Sequence, residues 1–193
     1  DGSNIEGIWS WNQTGTVGNA GTNNFQATFT PKNTNYLPIT VSLSVKVEKK
    51  ELTINVTNNT FTYDGSAHTI AYTVTGMVNG DAAPSVDGNV SKTDAGTYAA
   101  TLSITNDNYK AESVSTSLVI NKAAYTPNVN PSGLTATYGD LLSSVVLSNS
   151  NNNIEGVWSW NQTGTVGNAG TNSFQATFTP NNTNYAPSIH TLS

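Results

Sequence analysis

A near-identical repeat is the feature that most constrains this sequence. Asn4–Tyr36 returns at Asn153–Tyr185, and only three of the thirty-three aligned pairs differ: Ile8/Val157, Asn24/Ser173 and Lys32/Asn181. The copies lie 149 residues apart, which is too long for one unit of a solenoid. Whole domains are therefore repeated, and repetition of this kind favours building length over performing catalysis.

A weaker repeat lies between the two copies. Two short motifs occur in all three places: Asn19-Ala20-Gly21-Thr22, Asp94-Ala95-Gly96-Thr97 and Asn168-Ala169-Gly170-Thr171, then Asn35-Tyr36, Asn108-Tyr109 and Asn184-Tyr185. We interpret the middle segment as a diverged duplicate of the same fold. The predicted order is a partial unit A at 1–47 without its N-terminal strands, a unit B at 48–122, and a second unit A at 123–193 with its last strand truncated.

Composition and periodicity predict an all-β protein. Charged residues make up 10% of the chain, and Thr, Asn, Ser, Gly and Val are abundant, as in small β domains with wide polar faces. Apolar and polar residues alternate in segments such as Phe25–Phe29 and Thr97–Ile104. The nearest helical candidate is Leu141–Leu147, which is too short for more than a turn or two.

Residue types that are missing exclude several functions. The absence of Cys excludes thiol chemistry, disulfides and thiolate metal sites, while the absence of Arg and the net charge of −5 disfavour nucleic acid. The two histidines, His68 and His190, lie in different units, and we expect neither to belong to a zinc site or a catalytic triad. No apolar run is long enough to span a membrane, and no nucleophile or phosphate-binding motif is present. The sequence predicts that the protein is not an enzyme.

Several strings in unit A carry a resemblance to a known family. The segments Tyr138-Gly139-Asp140, Gly156-Val157-Trp158-Ser159-Trp160 and Phe174–Pro180 resemble the bacterial MBG domain of the YGX type, and unit B resembles another MBG subtype through Tyr63–Thr69 and Asp94–Tyr98. The resemblance implies small Ig-like β-sandwich domains, or related β-grasp-like ones, in an extended tandem array. It also implies an extracellular place on the bacterial cell surface, often in adhesins. The family has no catalytic residue set to transfer.

The tryptophan pairs of unit A are the candidate ligand-binding residues: Trp9 with Trp11, and Trp158 with Trp160. The members of each pair are two residues apart, so both rings of a pair lie on one face of a regular strand. Such a pair of indoles can stack on sugar rings. The alternative is that a small β domain uses its largest side chains for its core, and a bulge between the rings would instead separate them.

The three glycines and three tyrosines of the shared motifs have a structural interpretation. We expect a positive φ at Gly21, Gly96 and Gly170, with the side chain of Asn19, Asp94 or Asn168 closing the turn. We expect Tyr36, Tyr109 and Tyr185 to be buried rings whose hydroxyls bond to a loop backbone, as in the tyrosine corner of Ig-type sandwiches.

Oxygen-rich loops in unit B raise the question of a metal. Asn79, Asp81, Asp87 and Asn89 flank short loops, and Asn106-Asp107-Asn108 forms a second cluster. A calcium ion would find oxygen ligands there, but carboxylates scattered among glycines are typical of plain turns. We therefore expect no cofactor, with calcium as the alternative.

Two function classes remain. The first is a stalk or fibre segment that projects a binding head from a bacterial surface. The second is weak, multivalent adhesion to a glycan or host surface through the tryptophan pairs. The expected partners are neighbouring repeat domains or copies of this chain in a filament, with no nucleic acid and no membrane insertion.

The first unit A lacks the strands that its twin draws from about 134–147. A half-domain with an open core should not stay ordered alone, so we expect something to complete it. The donor is either 134–147 of a neighbouring molecule or residues upstream of this segment. In both cases Trp9 and Trp11 should pack against residues outside their own half-domain.

Overall fold

The computed structural model describes residues 4–148 and 152–193, and strands dominate these ranges. Strand residues make up 48% of the chain. The described ranges contain no α-helix, which confirms the all-β prediction. The helical candidate at Leu141–Leu147 supplies a single 3-10 turn, Leu142–Ser144. Neither described range holds a helix with the length and apolar character needed to cross a membrane.

Fifteen strands follow one another along the described chain. Unit A of the first copy contributes β1 Gly7–Trp11, β2 Gly21–Pro31 and β3 Ile39–Val47. The middle segment contributes β4 Lys50–Asn58, β5 Thr60–Thr62, β6 His68–Thr69, β7 Ala71–Thr75, β8 Val86–Asp87, β9 Ser91–Lys92, β10 Gly96–Ile104, β11 Tyr109–Ala111 and β12 Val114–Asn121. The second copy contributes β13 Gly156–Trp160, β14 Phe174–Pro180 and β15 Ser188–Leu192.

The strands form several small sheets, which is consistent with the β-sandwich class. Two antiparallel three-stranded sheets belong to the repeated sequence, in the orders β1-β2-β3 and β13-β14-β15. The middle segment forms sheets of order β5-β12-β10-β8 and β11-β4-β7 and a two-stranded sheet of β6 and β9. Two of its pairings, β11 with β4 and β12 with β5, are parallel.

The two repeated sheets share one strand register. Trp9 lies opposite Phe29 and Trp11 opposite Ala27, while Trp158 lies opposite Phe178 and Trp160 opposite Ala176. Both pairings run without a bulge from the glycine at the strand start, so each tryptophan pair shares one face of its sheet. The identical local sequence therefore gives identical pairing.

The chain divides into two compact units. One comprises Asp1–Val56, Tyr72–Asn89 and Thr101–Ser115, and the other comprises Thr57–Ala71, Val90–Ala100 and Thr116–Ser193. Both take strands from 48–122, so these units do not coincide with the division based on the repeat, which stays a prediction.

Each compact unit has its own buried hydrophobic residues. In the first unit they are Ala27, Leu52, Ile54, Leu102 and Tyr109. In the second they are Ile70, Ala100, Leu118, Ile120, Leu142, Trp158, Ala176, Phe178 and Leu192. Trp158, Ala176, Phe178 and Leu192 form one cluster, against which Tyr125, Leu134, Leu147 and Trp160 pack.

Candidate functional site

A four-residue turn, Asn-x-Asn-Tyr, occurs once in each repeat segment. The side-chain oxygen of its first Asn accepts a hydrogen bond from the backbone N–H of its second Asn, at 3.0 Å for Asn35, 2.9 Å for Asn108 and 3.0 Å for Asn184. This is an Asx turn, which Asn forms readily because its short amide reaches the backbone two residues on. The turn fixes the backbone from which the second Asn presents its side chain.

In the second and third segments, the side chain of the second Asn of this turn forms hydrogen bonds to a motif in the preceding repeat segment. Asn108 Oδ1 accepts from the backbone N–H of Ala20 at 2.9 Å, and Asn108 Nδ2 donates to Asn19 Oδ1 at 3.1 Å. Asn108 and the Asn19-Ala20 motif that it contacts belong to the same compact unit. A single amide thus satisfies a backbone donor and a side-chain acceptor together, and we call this pair of bonds the amide clasp.

The amide clasp is repeated with different residues. Asn184 Oδ1 accepts from the backbone N–H of Ala95 at 2.7 Å, and Asn184 Nδ2 donates to Asp94 Oδ1 at 3.0 Å. This bond to a carboxylate is stronger than the bond to an amide oxygen in the first clasp, because its acceptor is charged. Asn184 is also the one buried polar side chain within the described ranges, at 8% exposure.

The backbone of the same turns holds the incoming linker. The carbonyl of Asn108 accepts from the N–H of Lys50 at 2.9 Å, and the carbonyl of Asn184 accepts from the N–H of Ala123 at 2.9 Å. Ala123 also accepts from Ala186 N–H at 2.8 Å. Each join between repeat segments is therefore held by the side chain and the backbone of one Asn.

The other half of the amide clasp is the turn that contains Ala-Gly. Gly21 and Gly170 have φ values of +131° and +126°, which confirms the expected positive φ. The expectation is wrong for Gly96, whose φ is not in the left-handed region; a Cβ there would lie 3.0 Å from the Tyr98 ring. A side chain at this position would therefore need the Tyr98 ring to shift by a few tenths of an ångström.

The turns are closed by a different residue from the one we expected. The expectation that Asn19 or Asp94 closes its own turn is wrong, because both side chains accept the clasping amide. The closing group lies four residues later: Asn23 Nδ2 donates to the carbonyl of Asn19 at 2.7 Å, and Tyr98 Oη donates to that of Asp94 at 2.9 Å. In the third turn Asn172 Nδ2 donates to the carbonyl of Asn168 at 2.7 Å, so the closing group there is also a later residue.

The three motif tyrosines have three environments. Tyr109 is buried, and its hydroxyl accepts from Val78 N–H at 3.0 Å and donates to the Asp81 carboxylate, which confirms the tyrosine-corner expectation there. The hydrogen bond to Asp81 raises the pKa of Tyr109, because it favours the protonated phenol. Tyr185 is half-buried between the rings of Tyr63 and Tyr125.

Tyr36 corrects the expectation of a buried ring, because it is 48% exposed. The backbone of its turn is closed by a hydrogen bond in which the Tyr36 N–H donates to the carbonyl of Asn33 at 3.1 Å. The rings that flank Tyr185 come from 57–71 and 116–193. Burial of this tyrosine is therefore a property of neighbouring segments rather than of the turn.

The first tryptophan pair is exposed. Trp9 and Trp11 are each 54% exposed, although Trp9 contacts Phe29 at a ring distance of 5.3 Å and Trp11 contacts Phe25 at 6.1 Å. Both rings lie on one face of β1, as the spacing predicts. This face presents two indoles to solvent, which is the arrangement that stacking on a sugar requires.

The second tryptophan pair has the same ring geometry but a different environment. Trp158 contacts Phe178 at 5.2 Å and Trp160 contacts Phe174 at 6.1 Å. Trp158 is only 6% exposed, and Trp160 is half-buried with its Nε1–H donating to the carbonyl of Val145 at 2.9 Å. The face of Trp158 is therefore closed to a sugar ring in this structure, as the core interpretation expects.

A cleft of about 450 Å³ adjoins Trp160. Phe174, Leu192 and Ser193 line it together with Gly170 and its neighbours. In the first copy the counterparts of Gly170 and the next three residues pair with Ser44–Val47 at the end of β3. The cleft therefore lies where the first copy has paired strand ends.

The oxygen-rich loops of unit B are engaged in protein hydrogen bonds. Asp81 accepts from the Tyr109 hydroxyl, and Asn106 Oδ1 accepts from the N–H groups of Asn108 and Tyr109. No group of three or more His, Cys, Asp or Glu side chains with metal-binding geometry is found in 4–148 and 152–193. These bonds are the ones that plain turn residues make.

His68 has an acidic neighbour that the sequence interpretation missed. Its Nε2 lies 3.0 Å from Asp64 Oδ1, and its ring stacks on Phe61 at 4.4 Å. The backbone N–H of Ser66 and the imidazole together lower the pKa of Asp64. The four-residue spacing was a signal for this pair, in which a residue beside the Gly65 turn contacts the first residue of β6.

The amide clasp was also missed, although both of its halves were recognised as shared motifs. The missing step was that the Asn-Tyr motif of one segment bonds to the Ala-Gly motif of the preceding segment, and not to the Ala-Gly motif of its own segment. A nearly constant offset is the signal: Asn108 follows Asn19 by 89 residues and Asn184 follows Asp94 by 90. Comparison with family models, curated proteins and solved structures finds no match to this chain, so the resemblance to MBG domains stays a prediction.

Proposed function

We propose that this chain is a segment of a structural stalk or fibre in a bacterial cell-surface repeat protein, where it projects a binding head. One observation carries the proposal: the same amide clasp is formed at both joins between repeat segments, once by Asn108 and once by Asn184. A connection that recurs with different neighbours is the minimal requirement for a chain that gains length by adding repeats.

The chemistry of the amide clasp suits a load-bearing join. Half of each clasp is a bond to a backbone N–H, which does not depend on the identity of the neighbouring side chain. Each net hydrogen bond contributes about 1 kcal/mol, and one to a charged group contributes about 1.5–3 kcal/mol. The linker bonds of Lys50 and Ala123 add one bond to each clasp, so three hydrogen bonds from one Asn hold each join without any disulfide.

The finer parts of the proposal rest on the sequence. Tandem Ig-like sandwiches, or related β-grasp-like domains, and an extracellular position follow from the resemblance to MBG domains. The small antiparallel sheets and the repeated joins are compatible with such an array. A stalk needs no catalytic residues, cofactor or metal, and neighbouring repeats are its first partners.

A matched pair of substitutions tests the join. Asn184→Asp removes the Nδ2 donor and places a carboxylate against Asp94, which can only accept. Asn108→Asp places a carboxylate against Asn19, whose amide can turn and donate instead. We expect Asn184→Asp to lower the unfolding free energy by about 2 kcal/mol or more and Asn108→Asp to cost less than about 1 kcal/mol.

The measurement is the force at which single molecules unfold when pulled from both ends. A stalk predicts a lower force for Asn184→Asp and a force close to the parent's for Asn108→Asp. Repulsion raises the pKa of the introduced carboxyl, so the lost stability should return as the pH falls towards about 4. Equal unfolding forces for the parent and both variants would show that the amide clasp carries no load.

Adhesion by the units themselves is the second candidate, because Trp9 and Trp11 are exposed together on one face. Its test is a glycan screen with the parent chain and with Trp9→Ala/Trp11→Ala. Binding that disappears in the double variant supports adhesion. The absence of binding by the parent chain leaves the stalk as the function that the joins support.

A further inference from the structure

We propose that the exposed tryptophan face of the first sheet is a binding site for a polypeptide of the kind that residues 123–148 form. We call this surface the Trp9 face; it consists of Trp9, Trp11, Phe25, Ala27, Phe29, Ile39, Val41 and Leu43. The proposal concerns a partner of the sheet and does not depend on the role of the chain as a stalk.

The second copy shows what covers the matching surface. There, Tyr125, Leu134 and Leu147 pack against the buried cluster around Trp158 and Phe178. The ring of Tyr125 lies 5.8 Å from that of Phe178, and Leu142 is 2% exposed. Three apolar side chains spread along one segment, Tyr125, Leu134 and Leu147, thus cover a face that is open in the first copy.

Polar contacts fix the same segment at three points. Trp160 Nε1–H donates to the carbonyl of Val145 at 2.9 Å, and Leu142 N–H donates to the carbonyl of Gly164 at 2.8 Å. Val166 N–H donates to the carbonyl of Asp140 at 3.0 Å. All three contacts use indole or backbone groups of 156–166 on the sheet side, so they depend on the position of the segment rather than on special side chains.

The first copy offers the same groups. The counterparts of Trp160, Gly164 and Val166 are Trp11, Gly15 and Val17, with identical residues at all three positions. Val17 is 52% exposed, and Trp9 and Trp11 are each 54% exposed. The three groups thus lie in β1 and in the loop between β1 and β2, and the rings of the sheet itself have the distances that the covered sheet has.

The difference in exposure between the two copies is specific to this face. On the opposite face of the two sheets, Ile8 is 74% exposed and Val157 is 56% exposed, so both copies leave that side open. The Trp9 face differs from its twin mainly in the missing cover. It is also the more apolar of the two, because Val41 stands where the covered sheet has His190.

The number of tryptophan faces and the number of covering segments together determine what can occupy the Trp9 face. Residues 1–193 contain two tryptophan faces and one segment of the 123–148 type, so exchange of that segment between two copies moves the cover without adding another. The occupant is therefore a segment of this type that is not already packed on a sheet of its own. Face-to-face pairing of two Trp9 faces is the competing arrangement.

The experiment uses the full chain labelled with 5-fluorotryptophan, whose four 19F resonances are assigned by single Trp→Phe variants. A synthetic peptide of residues 123–148 is titrated in, with a peptide carrying Leu134→Asp and Leu147→Asp as the control. We expect saturable 1:1 binding that shifts the Trp9 and Trp11 resonances and leaves Trp158 and Trp160 unchanged. The control peptide should bind at least tenfold more weakly.

Three results would overturn the proposal. The first is no shift of the Trp9 and Trp11 resonances at millimolar peptide. The second is a shift confined to Trp158 and Trp160, which would mean that the peptide only displaces the resident cover. The third is a shift of Trp9 and Trp11 with chain concentration alone, which would assign the face to a second copy. None of these results bears on the force measurement at the amide clasps, so the two proposals can fail separately.

Discussion

The sheets β1–β3 and β13–β15 have nearly the same sequence in their first two strands and pair in the same register, yet one is open and the other is covered. Phe178 is 1% exposed and Trp158 is 6% exposed, whereas Trp9 is 54% exposed. The cover of the second sheet comes from 123–148, which precedes it in the chain. The local sequence thus determines strands and pairing, and a separate segment determines burial.

This difference separates two sources of stability. Ring contacts within a sheet, such as Trp9 with Phe29, form in both copies because they need only the pairing of β1 with β2 or of β13 with β14. Such cross-strand pairs contribute roughly 0.2–1 kcal/mol each. Full burial of a large apolar side chain contributes about 1.5–3 kcal/mol, and only the covered sheet gains it at the tryptophan face.

The largest expected effect contrasts the two phenylalanines at the centre of the faces. Phe178→Ala should lower the unfolding free energy by about 3–5 kcal/mol, because it leaves a cavity in a closed core. Phe29→Ala should cost less than half of that, since its ring is only partly buried. Denaturant unfolding followed by 19F signals of fluorotryptophan at Trp158 and Trp9 measures the two sheets separately. Equal losses would show that the cover contributes little to the core.

A smaller effect contrasts the outer tryptophans. Trp160→Phe removes the hydrogen bond to the carbonyl of Val145 and should lower the unfolding free energy by about 0.5–1.5 kcal/mol. Trp11→Phe removes a half-exposed indole and should change it by less than about 0.5 kcal/mol. The same denaturant experiment gives both values. A larger loss for Trp11→Phe than for Trp160→Phe would mean that the first face is covered in solution.

Much of the fold could be predicted from sequence because its signals are local. Alternation placed Phe25–Phe29 and Thr97–Ile104 inside strands, where the structure has them. The single 3-10 turn at Leu142–Ser144 also agrees with the short helical candidate. Each of these features depends on a few adjacent residues.

The parts that sequence did not predict depend on distant residues. Asn19 and Asp94 were expected to close their own turns, but each bonds to an Asn about ninety residues later in the chain. Gly96 was expected to have a positive φ by analogy with Gly21, but its φ is not in the left-handed region, and a Cβ there would lie 3.0 Å from the Tyr98 ring. Tyr36 and Tyr185 share a turn sequence but differ in burial, because their neighbours come from other segments.

The central claim is that the segment 123–148, and not the sheet sequence, makes the difference between the two copies. The direct test joins a second copy of residues 123–152 to Asn4, in the order in which they precede Asn153. A variant with Ser188→Ile and His190→Val serves as the control, because it removes the two residue differences between β15 and β3 on this face, and it should leave Trp158 protected. The 19F resonances of Trp9 and Trp11 are then compared in H2O and D2O. We predict that both lose their solvent isotope shift and approach the positions of Trp158 and Trp160; resonances that stay solvent-sensitive in a folded chain would contradict the claim.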